Sequence, residues 1–168
     1  MREIDRVDET GPGHATDDEA LLVDARTLFW WRWLLVTALA TGFFGLSMVL
    51  LPDTVQLFFN LLIFGTTWQP PAFGAPAGGY IGFVYGVLGA VLAGWALMIV
   101  LALLGPFRRG EKEGWLLIAL PLALWFVVDT TWSLATGYWQ NAVLNCIFAL
   151  AYAVPLAATW KHFATPRA

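Results

Sequence analysis

Charged residues are scarce in this chain. Asp, Glu, Lys and Arg make up 12% of its 168 residues, whereas 59% are hydrophobic. Soluble domains typically carry about 25% charged residues, and a soluble protein of this size cannot bury so much apolar surface in one core. The composition therefore excludes an ordinary soluble domain and indicates a membrane protein.

Cysteine and histidine are also rare. The single cysteine, Cys146, excludes an internal disulfide and a CxxC redox pair. His14 and His162 both lie outside the long apolar runs, which argues against a haem held by two histidines or a metal site within the membrane. The sequence has no GxSG, HExxH or GxxxxGK[ST] motif and no basic patch of nucleic-acid-binding character. We therefore predict no catalytic residues, cofactor, metal or nucleic-acid partner.

Four apolar runs dominate the rest of the sequence, at about residues 28–51, 79–104, 115–135 and 142–160. Each is close to the roughly 20 residues that cross a bilayer as a helix. They predict an all-α, four-helix transmembrane bundle within residues 26–163. Residues 1–25 are rich in Asp and Glu and are expected to form a disordered acidic cytoplasmic tail, and residues 164–168 a second, short tail.

Basic residues predict the orientation of the bundle. All nine Lys and Arg residues lie before or at the start of the first span, between the second and third spans, or at the C-terminus. They are Arg2, Arg6, Arg26, Arg32, Arg108, Arg109, Lys112, Lys161 and Arg167. Four spans place these segments on one side, which the positive-inside rule assigns to the cytoplasm. We therefore expect an integral protein of the cytoplasmic membrane with both termini inside.

The link between the first two spans contains a further apolar pattern. In the segment DTVQLFFNLLIFG, residues 53–65, apolar side chains recur at helical spacing. They are Val55, Phe58, Phe59, Leu62 and Ile63. The segment is too short to cross a bilayer, so we predict a short amphipathic helix at the outer interface.

Small residues occur at every fourth position of the second span, at Gly82, Gly86, Ala90 and Gly94. A stripe of this kind lets a neighbouring helix backbone approach closely. Two interpretations are open: packing inside the bundle, or a face for a homo-oligomer or a membrane-protein partner.

An acidic residue lies within the third span. An ionised Asp129 costs about 2.5–3.5 kcal/mol at the centre of a membrane helix, so it requires an explanation. Polar and aromatic residues of neighbouring spans fall at a similar depth or on the same helix face. They are Tyr85, Trp125, Trp132, Ser133 and Asn145. Asp129 is thus expected to be protonated and donating a hydrogen bond, to face a hydrated outward-open cavity, or to face a cationic ligand.

Three functional hypotheses follow. The leading one is a non-enzymatic protein that binds or helps move a lipid-like or amphiphilic cationic small molecule. In it Asp129 supplies the counter-charge, Trp125 and Trp132 supply apolar and cation–π contacts, and Asn145 orients the acid. The alternative is a structural or accessory subunit that assembles through the glycine stripe. A lipid-modifying enzyme ranks last, because one acid without a partnered nucleophile makes no catalytic set.

The second half of the chain carries a resemblance. It combines the glycine-rich second span with the hairpin WFVVDTTWSLATGYWQNAVLN and a late Pro-Leu pair. In these features it resembles a recurrent type of small bacterial four-helix integral membrane protein of unknown function. The resemblance implies the fold and the membrane location, and it brings no activity to transfer.

Overall fold

The computed structural model describes residues 13–66 and 75–164. Within these ranges the chain forms five α-helices and one π-helical turn, with no strand. They are α1 (Gly13–Leu50), α2 (Pro52–Phe64), α3 (Ala75–Ala102), the π-helical turn (Leu103–Phe107), α4 (Lys112–Ala135) and α5 (Trp139–Ala164). The all-α prediction is therefore confirmed.

Four of these helical segments, 25–50, 76–107, 112–135 and 139–164, are long and apolar enough to cross a membrane. Their outer surfaces carry large apolar side chains: Phe43 is 71% exposed and Leu124 67% exposed. A water-soluble protein does not tolerate an apolar surface of this extent. The four helices therefore suit a bilayer, where such side chains contact lipid.

The first helix begins earlier than the first predicted span. Helical backbone starts at Gly13, so the acidic stretch from there to Asp24, which we expected in a disordered tail, continues into α1. The remainder of the predicted N-terminal tail, residues 1–12, lies outside the described residues, as do residues 165–168. The other three spans agree with the sequence-based bounds to within a few residues.

Close contact between α1 and α3 occurs at two glycines outside the predicted stripe. A Cβ built on Gly45 would lie 2.7 Å from the backbone nitrogen of Ala93, and a Cβ on Gly89 would overlap the carbonyl oxygen of Gly45. Each position is restricted to glycine because the two backbones touch there. The crossing of α1 and α3 is therefore fixed by Gly45 and Gly89.

The predicted small-residue stripe has no close neighbour among the described residues. A Cβ built on Gly82, Gly86 or Gly94 meets no described atom within 4 Å, and Ala90 is exposed. A step of four residues turns the helix by about 400°, so the stripe rotates away from the α1 contact along α3, and Gly89 lies about 60° from Gly86 and about 100° from Ala90 around the helix. Within the described chain, this stripe does not mediate packing between helices.

The connection between α3 and α4 is tightly packed. At Gly105 the backbone leaves helical geometry (φ −98°, ψ −109°), and Pro106 follows. This turn buries Phe107, whose ring lies 4.6 Å from that of Phe163 on α5. Gly114 packs directly on the turn, since a Cβ there would lie 2.6 Å from the Phe107 Cα. The basic end of the bundle is thus closed by close backbone contacts.

Hydrogen bonds also link the helices to one another. Tyr152 and Thr41 are both buried and their hydroxyl groups are 2.8 Å apart. Because the Thr41 hydroxyl already donates to the carbonyl oxygen of Thr37 (2.9 Å), Tyr152 is the donor in this pair. The indole nitrogens of Trp31 and Trp115 donate to the carbonyl oxygens of Leu103 and Leu156, respectively.

The short helix α2 has its apolar side facing outward. Its buried residues are Val55, Gln56 and Asn60. The exposed apolar residues are Leu57, Phe58, Leu61 and Phe64. Of the five apolar residues whose spacing predicted this helix, Val55 is buried and Phe58 is exposed, and the two amide side chains face the bundle. An apolar outer face is favourable where that face meets acyl chains instead of water.

Candidate ligand-binding groove

Asp129 lies near one end of α4, opposite the basic end. It precedes the last helical residue, Ala135, by six positions, which corresponds to about 9 Å along the helix. The Nδ2 group of Asn141 on α5 donates to the Oδ1 atom of Asp129 (3.3 Å) and to the Oγ atom of Ser133 (2.8 Å). Ser133 is buried and donates to the carbonyl oxygen of Asp129 (2.7 Å). One asparagine therefore bridges the acid and the serine one turn after it.

The turn between α4 and α5 sets this alignment. Gly137 has φ +86°, a conformation that favours glycine. The backbone N–H of Tyr138 donates to the carbonyl oxygen of Ser133 (2.8 Å), and that of Gly137 donates to Leu134 (3.1 Å). These bonds form a Schellman motif. Ser133 and Asn141 are equally distant in sequence from Gly137, so the hairpin brings them to one level.

Asn145 has a different partner from the one that we predicted. Its Nδ2 group donates to the Oγ1 atom of Thr130 (3.3 Å), and its side chain is buried. Asn145 and Asp129 are also equally distant from Gly137, so the predicted level agrees with the structure. The rotation of the two helices, however, directs Asn145 to Thr130 and leaves Asn141 to contact Asp129.

Hydrogen-bond acceptors outnumber donors around Asp129. The Oδ2 atom of Asp129 and the Oδ1 atoms of Asn141 and Asn145 accept no hydrogen bond from the described residues. Asp129 also forms no ion pair within the described part of the chain. The cluster therefore suits a ligand that brings positive charge and N–H donors.

A groove of about 630 Å³ begins at this cluster. All five helices contribute to its lining, which is apolar except for Asp129, Asn141 and Asn145. On α4 it extends from Asp129 back to Pro121, about 12 Å at 1.5 Å per residue. Its volume lies within the roughly 300–1,000 Å³ of small-molecule sites. The groove thus joins a polar end to an apolar channel.

The groove opens sideways between α3 and α4. Its rim includes Leu88 and Val91 of α3 and Leu124 and Val128 of α4, and each of these side chains is more than half exposed. In a membrane, such apolar rims contact acyl chains. A ligand could therefore enter from the bilayer without crossing water.

Aromatic rings form the inner wall. Trp125 lines the groove and packs edge-on against Phe148 on α5, with ring centroids 5.3 Å apart. Trp95 on α3 lies 6.1 Å from Trp125. These rings provide the faces that attract cationic groups.

The predicted site residues therefore separate into three groups. Asp129, Asn145 and Trp125 line the groove. Ser133 does not line it, but its hydroxyl group donates a hydrogen bond to the carbonyl oxygen of Asp129. Tyr85 does not line it but stacks on Phe59, which does (5.4 Å, 15° between rings). Trp132 is 68% exposed and faces away.

Several residues that line the groove were not among the predicted site residues. Asn141 is the direct partner of Asp129, and Trp95, Phe148 and Phe59 contribute aromatic wall. The spacing around Gly137 could have identified Asn141, because it pairs that residue with Ser133. No local signal identifies Trp95, whose position depends on the α1–α3 crossing.

No family model, curated protein or solved structure matches the chain.

Proposed function

We propose that the protein binds, or helps to move, a lipid-like or amphiphilic molecule with a cationic head. The observation that carries this proposal is the groove itself, in which three acceptor atoms without a hydrogen-bond donor among the described residues lie at one end of an otherwise apolar channel. The head would be held at Asp129 and the apolar part along Trp125 and Phe148.

Charge supports a cation in preference to an anion. The one ionisable side chain in the groove is an acid, and the basic residues described by the structure lie near the other ends of their helices. An anionic head would meet Asp129 without a compensating donor, which is unfavourable at low dielectric constant. A cationic head would provide Asp129 with an ion-pair partner, which it does not have among the described residues.

The lateral opening supports an amphiphile in preference to a small polar ion. A polar ion would have to lose its water along an apolar rim. A molecule with a hydrocarbon tail already resides in the bilayer and gains contacts with the groove as it enters. The proposed ligand is therefore a membrane-dissolved amine or a lipid with an amine head.

The proposed location is the cytoplasmic membrane with both termini in the cytoplasm. It is supported by the basic residues at one end of the bundle, Arg108, Arg109, Lys112 and Lys161. In this orientation α2 would lie in the outer leaflet, and the Asp129 end of the groove would also be in the outer half of the bilayer.

The binding experiment uses the full chain in a neutral detergent and two ligands of equal chain length, dodecylammonium and the uncharged dodecanol. Equilibrium dialysis gives the affinity of each. We expect dodecylammonium to bind more tightly and Asp129→Asn to lower its affinity by about tenfold or more, since a charged hydrogen bond is worth about 1.5–3 kcal/mol. Dodecanol binding should be unchanged by this variant.

Two control variants separate the groove from general effects. Asp53→Asn removes an exposed acid on α2 that does not line the groove, and it should leave dodecylammonium binding unchanged. Trp125→Leu should weaken binding, whereas Trp132→Leu, outside the groove, should not. Equal affinity of the parent protein for the two ligands would refute the proposal.

The second candidate function is an accessory subunit that binds a second copy or another membrane protein through the small-residue stripe on α3. The observation that favours it is the open space above Gly82, Gly86 and Gly94. In this case Gly86→Leu should disrupt the assembly measured by native mass while leaving dodecylammonium binding intact. A strictly monomeric protein would count against this candidate.

A further inference from the structure

A second groove, of about 560 Å³, lies between α4 and α5 and shares no lining residue with the first. Five alanines form much of its lining, and larger side chains such as Trp115, Phe126 and Leu150 complete it. The alanines are Ala119, Ala123, Ala149, Ala153 and Ala157. No charged side chain lines the groove. It is an apolar channel that uses different residues of α4 from those that line the first groove.

The dimensions of this alanine groove fit one acyl chain. It extends along α4 from Trp115 to Phe126, about 16 Å at 1.5 Å per residue. This length is close to half of the roughly 30 Å hydrocarbon core, which is the thickness of one leaflet. The groove is therefore long enough to hold one acyl chain of a single leaflet along its apolar lining.

Positive charge is placed at one end of the alanine groove. Lys112 precedes Trp115 by one turn on α4, and Lys161 follows Ala157 by one turn on α5. Both lysines are exposed. Trp115 packs on Trp160 with ring centroids 4.7 Å apart, and the Nζ atom of Lys112 lies 6.0 Å from the centre of the Trp160 ring. The Lys112 ammonium group therefore lies near the end of the groove that Trp115 lines.

Nearby acids leave the charge of Lys112 in place. Glu111 is engaged by Arg109 (Nη2 to Oε2, 3.0 Å), and that hydrogen bond lowers the pKa of Glu111. Glu113 follows Lys112 by one residue, which is about 100° around the helix and off the groove face. The mouth of the groove therefore presents Lys112 to a ligand, with Lys161 one turn beyond the groove on α5.

We propose that the alanine groove binds an anionic phospholipid, with one acyl chain along the alanines and the phosphate at Lys112 and Lys161. The positive charge of the two lysines favours an anionic head group, and the length of the groove matches an acyl chain of one leaflet. This site is independent of the groove at Asp129, which has an acid at the opposite end of the bundle. The two grooves thus have opposite charge preferences.

The experiment measures phospholipid binding to the full chain in detergent by native mass spectrometry. Phosphatidylglycerol and phosphatidylcholine with identical acyl chains are compared. We expect phosphatidylglycerol to bind more tightly, and K112Q/K161Q to weaken it about 25-fold, roughly fivefold for each lysine near an anionic head. Ala153→Phe should weaken binding of the same lipid by filling the channel. Controls are Arg32→Gln, a basic residue away from the groove, and Ala40→Phe, an exposed alanine on α1.

A chemical measurement keeps the proposal testable if Ala153→Phe does not fold. Cys146 is exposed and lines the inner end of the alanine groove. Phosphatidylglycerol should slow its alkylation by a lipid-soluble maleimide more than phosphatidylcholine does, and K112Q/K161Q should remove this difference. Equal binding of the two lipids, equal protection of Cys146, or an Arg32→Gln effect as large as that of the double lysine variant would overturn the proposal.

Discussion

A methyl group added at Gly89 has no space between α1 and α3. The Cβ atom would overlap the carbonyl oxygen of Gly45 and lie 2.6 Å from the Met48 Cβ. The first of these neighbours is backbone, so relief requires the helices to separate. Overpacking of this kind typically costs about 1–3 kcal/mol. Alanine recovers about 0.8–1.0 kcal/mol through helix propensity.

We therefore expect Gly89→Ala to lower the free energy of unfolding by up to about 2 kcal/mol. The matched control is Gly86→Ala, one turn earlier on the same helix, where a Cβ meets no described atom within 4 Å. That variant should be neutral or more stable by up to about 1 kcal/mol. The difference between the two, roughly 2 kcal/mol, depends on the helix crossing and not on the residue type.

Unfolding of the purified protein in mixed detergent and SDS micelles, followed by circular dichroism, measures both variants under one condition. Native mass, recorded in parallel, separates a loss of monomer stability from a loss of assembly. If Gly89→Ala is as stable as Gly86→Ala, the packing of α1 on α3 described above is refuted.

Three further predictions concern other contacts. In a double-mutant cycle, Thr41→Val and Tyr152→Phe should show a coupling of about 0.6 kcal/mol, and at most about 1.7; a coupling of zero would exclude their hydrogen bond. Asn60→Leu should leave unfolding stability unchanged or raise it, since the buried Nδ2 atom of Asn60 has no partner among the described residues; a large loss would show that Asn60 binds something else. Gly114→Ala should destabilise the protein by about 1–3 kcal/mol through its clash with Phe107, and a stable variant would contradict the tight turn.

The sequence predicted the architecture because its cause is local. Four runs of apolar residues each reach membrane-spanning length, and the cost of exposing backbone and apolar groups depends mainly on the run itself. The turn at Gly137 is likewise encoded nearby, since a left-handed residue after a helix favours glycine. Equal sequence distance from that turn was enough to place Asn145 at the level of Asp129.

The sequence did not predict how each helix is rotated about its own axis, and therefore which side chains face the groove. Tyr85 and Trp132 have the residue types and depth expected of site residues, but the structure places neither in the groove. Asn141 contacts Asp129 because of the angle at which α4 and α5 face each other. In a membrane helix, apolar residues occur on every side, so a hydrophobic stripe no longer marks the inner face.

The sequence by itself determined that the chain is helical, that four of its helices are long and apolar enough to cross a membrane, and where along its helix the acid lies, because length, apolarity and turn residues act along a single segment. Tertiary structure alone decided that Gly89, rather than the stripe through Gly86, forms the helix contact, that α2 faces its amides inward, and that Asp129 and Lys112 belong to separate grooves. Those outcomes depend on which backbones can approach one another, and that is a property of helices packed together.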